Sequence, residues 1–315
     1  MIWLNLLIFV LASFVLVRSG TWVIRSLSHI ARFLRLSEFF VAFILMAFVS
    51  SLPELFVGIS SAVHGLPQIS FGNIIGANVI NLTLAVGLSV LILGGIKIDR
   101  ELIRRESFYT AVVAILPLFL ILDGQLSRVD GVILLSLFFI YLSWLLYHKE
   151  RFSRVYENHE KIAFKHFLKN IFLFLGSVAL LIVSGEFIIS SAISLAEEFN
   201  LSPVIIGVLI IGAGTALPET YFSIRAALNH KEEIVLGNLM GSVIITSLFV
   251  LGLVALLSPI EIDNFPSYLI ARVFLLLSAV IFFISVRSGG RISRKEALFL
   301  IFIYIAFIMT EILIK

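Results

Sequence analysis

Residues 50–54 read Ser-Ser-Leu-Pro-Glu and residues 215–219 read Thr-Ala-Leu-Pro-Glu, two pentapeptides 165 residues apart in a chain of 315. At the same offset, Gly20 to Leu91 aligns with Gly185 to Leu256 without a gap. The identities include Leu36-Ser37 with Leu201-Ser202, Gly72-Asn73 with Gly237-Asn238, Gly76 with Gly241 and Gly87-Leu88 with Gly252-Leu253. Self-similarity at one fixed offset over this length marks a duplicated unit.

The residues around the motif decide what that unit is. Of the chain, 60% is hydrophobic and only 14% charged, whereas a soluble domain carries about 25% charged residues. A membrane-crossing helix needs about 20 apolar residues. Hydropathic runs give ten such segments, at 2–31, 39–63, 69–93, 107–122, 129–147, 167–195, 203–228, 234–257, 267–286 and 296–314. The first and sixth are longer than a straight crossing requires, so they tilt or extend past the bilayer. Alternating barrel patterning is missing, and lipid would leave an open sheet edge unsatisfied at several kcal/mol per group. The expected fold is therefore an all-α polytopic membrane protein of ten transmembrane helices in two inverted five-helix repeats. Residues 1–147 form the first repeat with its core motif at 37–91, and 148–166 form a linker. The second repeat spans 167–315, with its core motif at 202–256.

Five helices per copy is an odd number, so the second copy enters the membrane from the opposite side. Inverted halves can present one central site to either face in turn, which is the architecture of a transporter. Seventeen of the 23 Lys and Arg residues fall in or beside the odd-numbered loops. Those loops are expected to face the cytoplasm. Both termini then lie outside the cell, the linker 148–166 is cytoplasmic, and the protein is integral to the cell membrane. Met1 to Phe14 has no basic leading region and no small-residue cleavage site, so it reads as a retained first helix. Lysine and arginine here reflect topology, and no nucleic-acid partner is expected.

Polar residues at membrane depth are costly, so those recurring at one repeat position are the best site candidates. Glu54 and Glu219 each follow a proline inside an apolar run. An interior proline removes one backbone hydrogen bond and displaces the carbonyl four residues earlier, here that of Val49 or Gly214. Ser50 and Thr215 precede the two glutamates by four residues and share their helix faces. In the following helix Asn73, Ala77 and Asn81 are spaced by four, as are Asn238, Ser242 and Thr246 in the second copy, with Asn78 one residue off the first stripe. Gly72, Gly76, Gly237 and Gly241 form small-xxx-small patterns, which fit either close helix packing or a role in the site.

Two carboxylates balance one divalent cation, and Ca²⁺ takes roughly 6–8 oxygen ligands from carboxylates, carbonyls, amides and water. Mg²⁺ demands stricter geometry and dehydrates reluctantly. Transition metals favour imidazole or thiolate. The chain has no Cys, and His29, His64, His148, His159, His166 and His230 fall at span ends or in loops.

The motifs Ser50 to Glu54 with Gly72-Asn73-x-x-Gly76, and Gly214 to Glu219 with Gly237-Asn238-x-x-Gly241-Ser242, resemble the two alpha repeats of the cation/calcium exchanger superfamily, closest to its prokaryotic sodium/calcium exchangers. The resemblance covers essentially the whole chain. It implies an antiporter that exports Ca²⁺ in exchange for Na⁺, needing no cofactor or obligatory protein partner beyond its ions and the bilayer. In that family the motif glutamates hold Ca²⁺ and share Na⁺, which maps onto Glu54 and Glu219. Motif hydroxyls and nearby carbonyls map onto Ala47, Ser50, Ser51, Gly212, Thr215 and Ser242, with Asn81 on the third helix. Three positions depart from the pattern: Ala77 and Ala216 stand where it has hydroxyl residues, and Thr246 replaces its usual Asp or Asn. Na⁺ must be desolvated onto neutral oxygens, so each lost hydroxyl weakens a Na⁺ site more than the doubly charged Ca²⁺ site. Exchange against H⁺ or another monovalent ion is the alternative, and a passive cation channel a remote one.

No G-x-S-x-G or H-E-x-x-H motif is present, so no enzyme is expected. Arg18, Asp123, Asp130, Glu186, Glu197, Glu198 and Glu311 lie near span ends and read as interfacial anchors.

Overall fold

A computed structural model describes residues 2–33, 47–98, 101–147, 164–199, 206–262 and 265–313. In the first half the helices are α1 (Ile2–Phe33), α2 (Ala47–Ser50), α3 (Leu52–Val63), α4 (Pro67–Ile80), α5 (Val86–Leu93), α6 (Glu101–Leu120) and α7 (Arg128–Tyr147). In the second they are α8 (Phe164–Phe199), α9 (Gly212–Thr215), α10 (Leu217–Leu228), α11 (Glu232–Ile244), α12 (Leu251–Leu257), α13 (Phe265–Arg287) and α14 (Arg294–Leu313). Among the described residues, eight helices are long and apolar enough to cross a membrane, or nine if the pair 206–215 and 217–228, bent by 40°, is one span. The expected run 39–63 is described only from Ala47, where it forms the short helices α2 and α3. The protein is thus an all-helical membrane protein.

Helix bounds follow from local chemistry. Pro67 opens α4 in the first turn, where its missing N–H costs nothing. Gly94, with φ of 77°, ends α5 in a left-handed cap that few other residues adopt cheaply. The chain runs from α4 to α5 through a π-helical turn, Asn81–Ala85, and from α11 to α12 through another, Ile245–Val250. At the start of α7 the Ser127 hydroxyl donates to Asp130 Oδ2 at 2.6 Å while the Asp130 N–H returns to Ser127 Oγ at 3.3 Å. Ser293 and Glu296 repeat this capping box before α14, at 2.8 and 3.4 Å.

Four two-residue strands form two antiparallel ribbons. Strand β1 (Ile96–Lys97) pairs with β4 (Arg291–Ile292), with Ile96 opposite Ile292. Strand β2 (Gln125–Leu126) pairs with β3 (Ile260–Glu261), with Leu126 opposite Ile260. Each ribbon joins one strand from each half of the sequence.

Burial separates the inner helices from the outer ones. The spans Pro67–Leu93 and Glu232–Leu257 are each 83% buried, whereas the other six range from 22% to 44%. The outer faces expose large apolar side chains such as Phe172, Ile140 and Phe302, as lipid contact requires. The long helices α1 and α8 lie against each other. At 1.5 Å per residue they are about 48 and 54 Å long, against a hydrocarbon core of about 30 Å, so they exceed a straight crossing. Their buried residues Phe9, Leu16, Val23, Leu181 and Ile188 share an apolar cluster with Val49, Leu52 and Ile211 around the broken helices. Gly20 of α1 lies where the two proline breaks converge: a Cβ there would be 3.3 Å from Pro218 Cγ and 3.8 Å from Pro53 Cγ.

Candidate ion-binding site

Proline places both glutamates at a helix start. Ser51 separates α2 from α3 and Ala216 separates α9 from α10, with Pro53 and Pro218 in the first turn of the new helix. Backbone bonding is kept around each break, from Ser51 N–H to Ala47 O at 3.2 Å and from Ala216 N–H to Gly212 O at 3.1 Å. Glu54 and Glu219 therefore project from first turns, where the positive end of the helix dipole favours an anion. Both side chains are 0% exposed, and the two carboxylates act on each other electrostatically.

The inner helices bring their amide and hydroxyl stripes to the same place. The Thr215 hydroxyl donates to Asn73 Oδ1 at 2.8 Å, and the Ser50 hydroxyl to Asn238 Oδ1 at 3.4 Å. These two bonds are counterparts under the 165-residue offset, and each joins one half of the sequence to the other. Ser51 and Ser242 hydroxyls meet at 3.0 Å, and Ser242 donates to Glu219 Oε1 at 3.1 Å. Asn81 Nδ2 reaches the Ser242 hydroxyl at 3.5 Å. The Ala47 carbonyl accepts from Ser51 at 2.8 Å and the Gly212 carbonyl from Thr215 at 3.5 Å.

The remaining candidates pair among themselves. The Thr246 hydroxyl donates to Asn78 Oδ1 at 2.9 Å, and Asn78 Nδ2 donates to Ser247 at 2.8 Å. Asn238 Nδ2 donates to Ser223 at 3.2 Å. Ser223 and Ser247 are buried members of the network that sequence reading passes over. Their repeat positions hold Gly58 and Leu82, so a search for duplicated polar residues misses them. Ser223 has one legible signal, its place four residues beyond Glu219 on the same face.

Several oxygens at the centre have no hydrogen-bond partner among the described residues: both of Glu54, Oε2 of Glu219 and Oδ1 of Asn81. A buried carboxylate without a donor is expensive, so the arrangement fits a bound cation. Carboxylate, amide, hydroxyl and carbonyl oxygens are the donor set of a hard cation.

Gly76 proves to be a packing residue. A Cβ on it would lie 2.2 Å from the Val208 carbonyl oxygen, so only glycine lets α4 approach the segment 206–211 this closely. Two of the expected interfacial anchors have describable surroundings. Glu186 accepts from Ser60 at 2.6 Å and pairs with His64 at 3.1 Å, linking α8 to α3. Glu311, near the end of α14, is 2% exposed. The side chain of Glu197 lies outside the described residues.

The family described as sodium/calcium exchanger protein matches residues 4–147 and 169–313. The chain is 26% identical over 347 residues to the sodium/calcium exchanger MaX1 of Methanosarcina acetivorans, covering 98% of this chain and 99% of that protein. It is 32% identical over 242 residues to the inner membrane protein YrbG of Escherichia coli, covering 73% of each. Among solved structures it resembles the sodium-calcium exchanger NCX_Mj soaked with 10 mM Na⁺, with a TM-score of 0.69, 26% identity and coverage of 98% and 99%. The match spans both halves of the sequence and both halves of the buried site, and the chain belongs to the sodium/calcium exchanger family.

Proposed function

We propose that the chain is a secondary-active antiporter that carries Ca²⁺ between Glu54 and Glu219 and exchanges it for Na⁺, exporting Ca²⁺ across the cell membrane. The observation that carries this reading is the pair of fully buried glutamates with three unpartnered carboxylate oxygens, surrounded by neutral oxygens from both halves. Ser50, Ser51, Thr215, Ser242, Asn81 and the Ala47 and Gly212 carbonyls complete the ion ligands. Asn73 and Asn238 orient Thr215 and Ser50, while Asn78 and Thr246 brace the inner helices.

The site explains why exchange is coupled. Ca²⁺ and Na⁺ draw on the same carboxylates, so one excludes the other. An empty site leaves two buried charges uncompensated, which opposes reorientation without cargo. Alternating access then follows from ten helices in two inverted halves, 1–147 and 167–315, with both termini outside and the linker 148–166 cytoplasmic. Strand pairing supports the inversion. Strands β1 and β2 flank α6 at opposite ends, and each pairs with the strand that follows a different span in the other half.

The test is flux by Glu54→Gln and Glu219→Gln in proteoliposomes. A glutamine keeps the shape and removes the charge, so each variant is expected to lose Ca²⁺ uptake to the background of empty vesicles while eluting as folded protein. Uptake near the wild-type rate in either variant removes that glutamate from the site.

A further inference from the structure

The two halves of the site are not equivalent, and one difference lies at the hydroxyls beside the glutamates. On one flank the Ser51 hydroxyl lies 2.8 Å from the Ala47 carbonyl and 3.0 Å from the Ser242 hydroxyl. The 165-residue offset converts these three groups into the Gly212 carbonyl, Ala216 and Ala77. The two alanines are both 0% exposed and share one apolar cluster with Ile80. Gly212 backs onto the same spot, since a Cβ on it would be 3.1 Å from Ala77 N. The two alanine departures are therefore a single change, in which a pair of facing hydroxyls has become a pair of facing methyls. The carboxylates register it. Glu219 accepts a hydrogen bond from Ser242, whereas the counterpart of Ser242 in the other half is Ala77, which has no hydroxyl to give.

A monovalent cation gives up hydration for a modest electrostatic return, so it needs neutral oxygens beside the carboxylate. The flank of Ala47, Ser51 and Ser242 offers a carbonyl and two hydroxyls. The flank of Gly212, Ala216 and Ala77 offers a carbonyl and two methyl groups, and methyls cannot replace water. Ca²⁺, held by both glutamates, depends on neither flank alone. We infer that the flank of Ala47, Ser51 and Ser242 holds the one flanking monovalent cation, that its counterpart is dry, and that the chain exchanges one fewer monovalent cation per Ca²⁺ than a site with both hydroxyl pairs. This rests on the antiport reading above and specifies its coupling.

Two reciprocal variants test it in proteoliposomes held at zero membrane potential. The Na⁺ gradient that just stops net flux against a fixed Ca²⁺ gradient reports how many monovalent cations move per Ca²⁺. Ala77→Ser with Ala216→Ser rebuilds the missing pair, and each new hydroxyl has a backbone carbonyl four residues back, on Asn73 or Gly212, to accept its proton. This variant is expected to carry one more monovalent cation per Ca²⁺ than wild type. Ser51→Ala with Ser242→Ala is expected to weaken Na⁺ inhibition of Ca²⁺ uptake by a larger factor than it weakens Ca²⁺-induced thermal stabilisation. An unchanged count in the first variant, or unchanged Na⁺ inhibition in the second, overturns the inference while leaving antiport intact. Absence of Ca²⁺ flux in wild type under Na⁺, K⁺ and pH gradients alike overturns the antiport reading itself.

Discussion

Glu54 shows what a single side chain reveals and what it conceals. Its place after Pro53, repeated at Pro218 and Glu219, is legible from the sequence because a proline and a carboxylate in an apolar run each carry a cost that only a site offsets. Its full burial beside the second glutamate is not legible, since it depends on helices from the other half of the sequence packing around it. That observation yields a stability prediction. Without Ca²⁺ the wild-type protein holds two fully buried carboxyl groups that act on each other, and Glu54→Gln removes one of them. In ion-free detergent the variant is expected to melt at or above the wild-type temperature. Ca²⁺ stabilises whichever protein binds it, by about 2.7 kcal/mol at a concentration about 100 times its dissociation constant. Wild type is therefore expected to gain thermal stability on Ca²⁺ addition and Glu54→Gln to gain none. Equal gains, followed by differential scanning fluorimetry, contradict the role given to Glu54.

Elements were legible where local chemistry sets them and hidden where partners do. The prolines and their spacing locate the breaks at Ser51 and Ala216, and the fourfold spacing of Asn73, Ala77 and Asn81 marks the inner face of α4. The π-helical turns Asn81–Ala85 and Ile245–Val250 carry no local signal, because they lie inside continuous apolar runs and their geometry is set by the surrounding bundle. The Glu186 link to Ser60 and His64 is invisible for the same reason, as its partners are more than a hundred residues away in sequence. Gly76 sits between the two cases. Its spacing from Gly72 suggests close packing, but only the approach to the Val208 carbonyl shows which neighbour requires it. Gly76→Ala puts a methyl 2.2 Å from that oxygen. The backbones must separate, at a cost of about 1–3 kcal/mol. A lower unfolding temperature with reduced flux is expected; a variant as stable as wild type shows that α4 and the segment 206–211 have room to spare.

For the molecule as a whole, the expectation of two inverted five-helix halves rests on the duplication at one offset and on the parity of the helix count. The asymmetry between the halves follows from the same comparison only when the lost hydroxyls are seen to touch. Membrane orientation rests on the distribution of Lys and Arg. With no native Cys, the chain accepts single reporter cysteines directly. Gln125→Cys, at an exposed turn between α6 and α7, is expected to react with an impermeant maleimide added outside intact cells. Ser153→Cys, in the linker, is expected to react only after the membrane is opened. The reverse pattern inverts the assigned orientation and leaves the site untouched.

Coupling itself is tested most directly by radioactive Ca²⁺ uptake into proteoliposomes of the wild-type protein, loaded in turn with Na⁺, with K⁺, with an acidic interior, or with ions matched to the outside. Uptake that requires the outward Na⁺ gradient and vanishes in the matched vesicles is the result the buried glutamate pair and its neutral oxygens predict. Ca²⁺ entering matched vesicles down its own gradient, with no counter-ion, would contradict antiport and make the same carboxylates part of a channel.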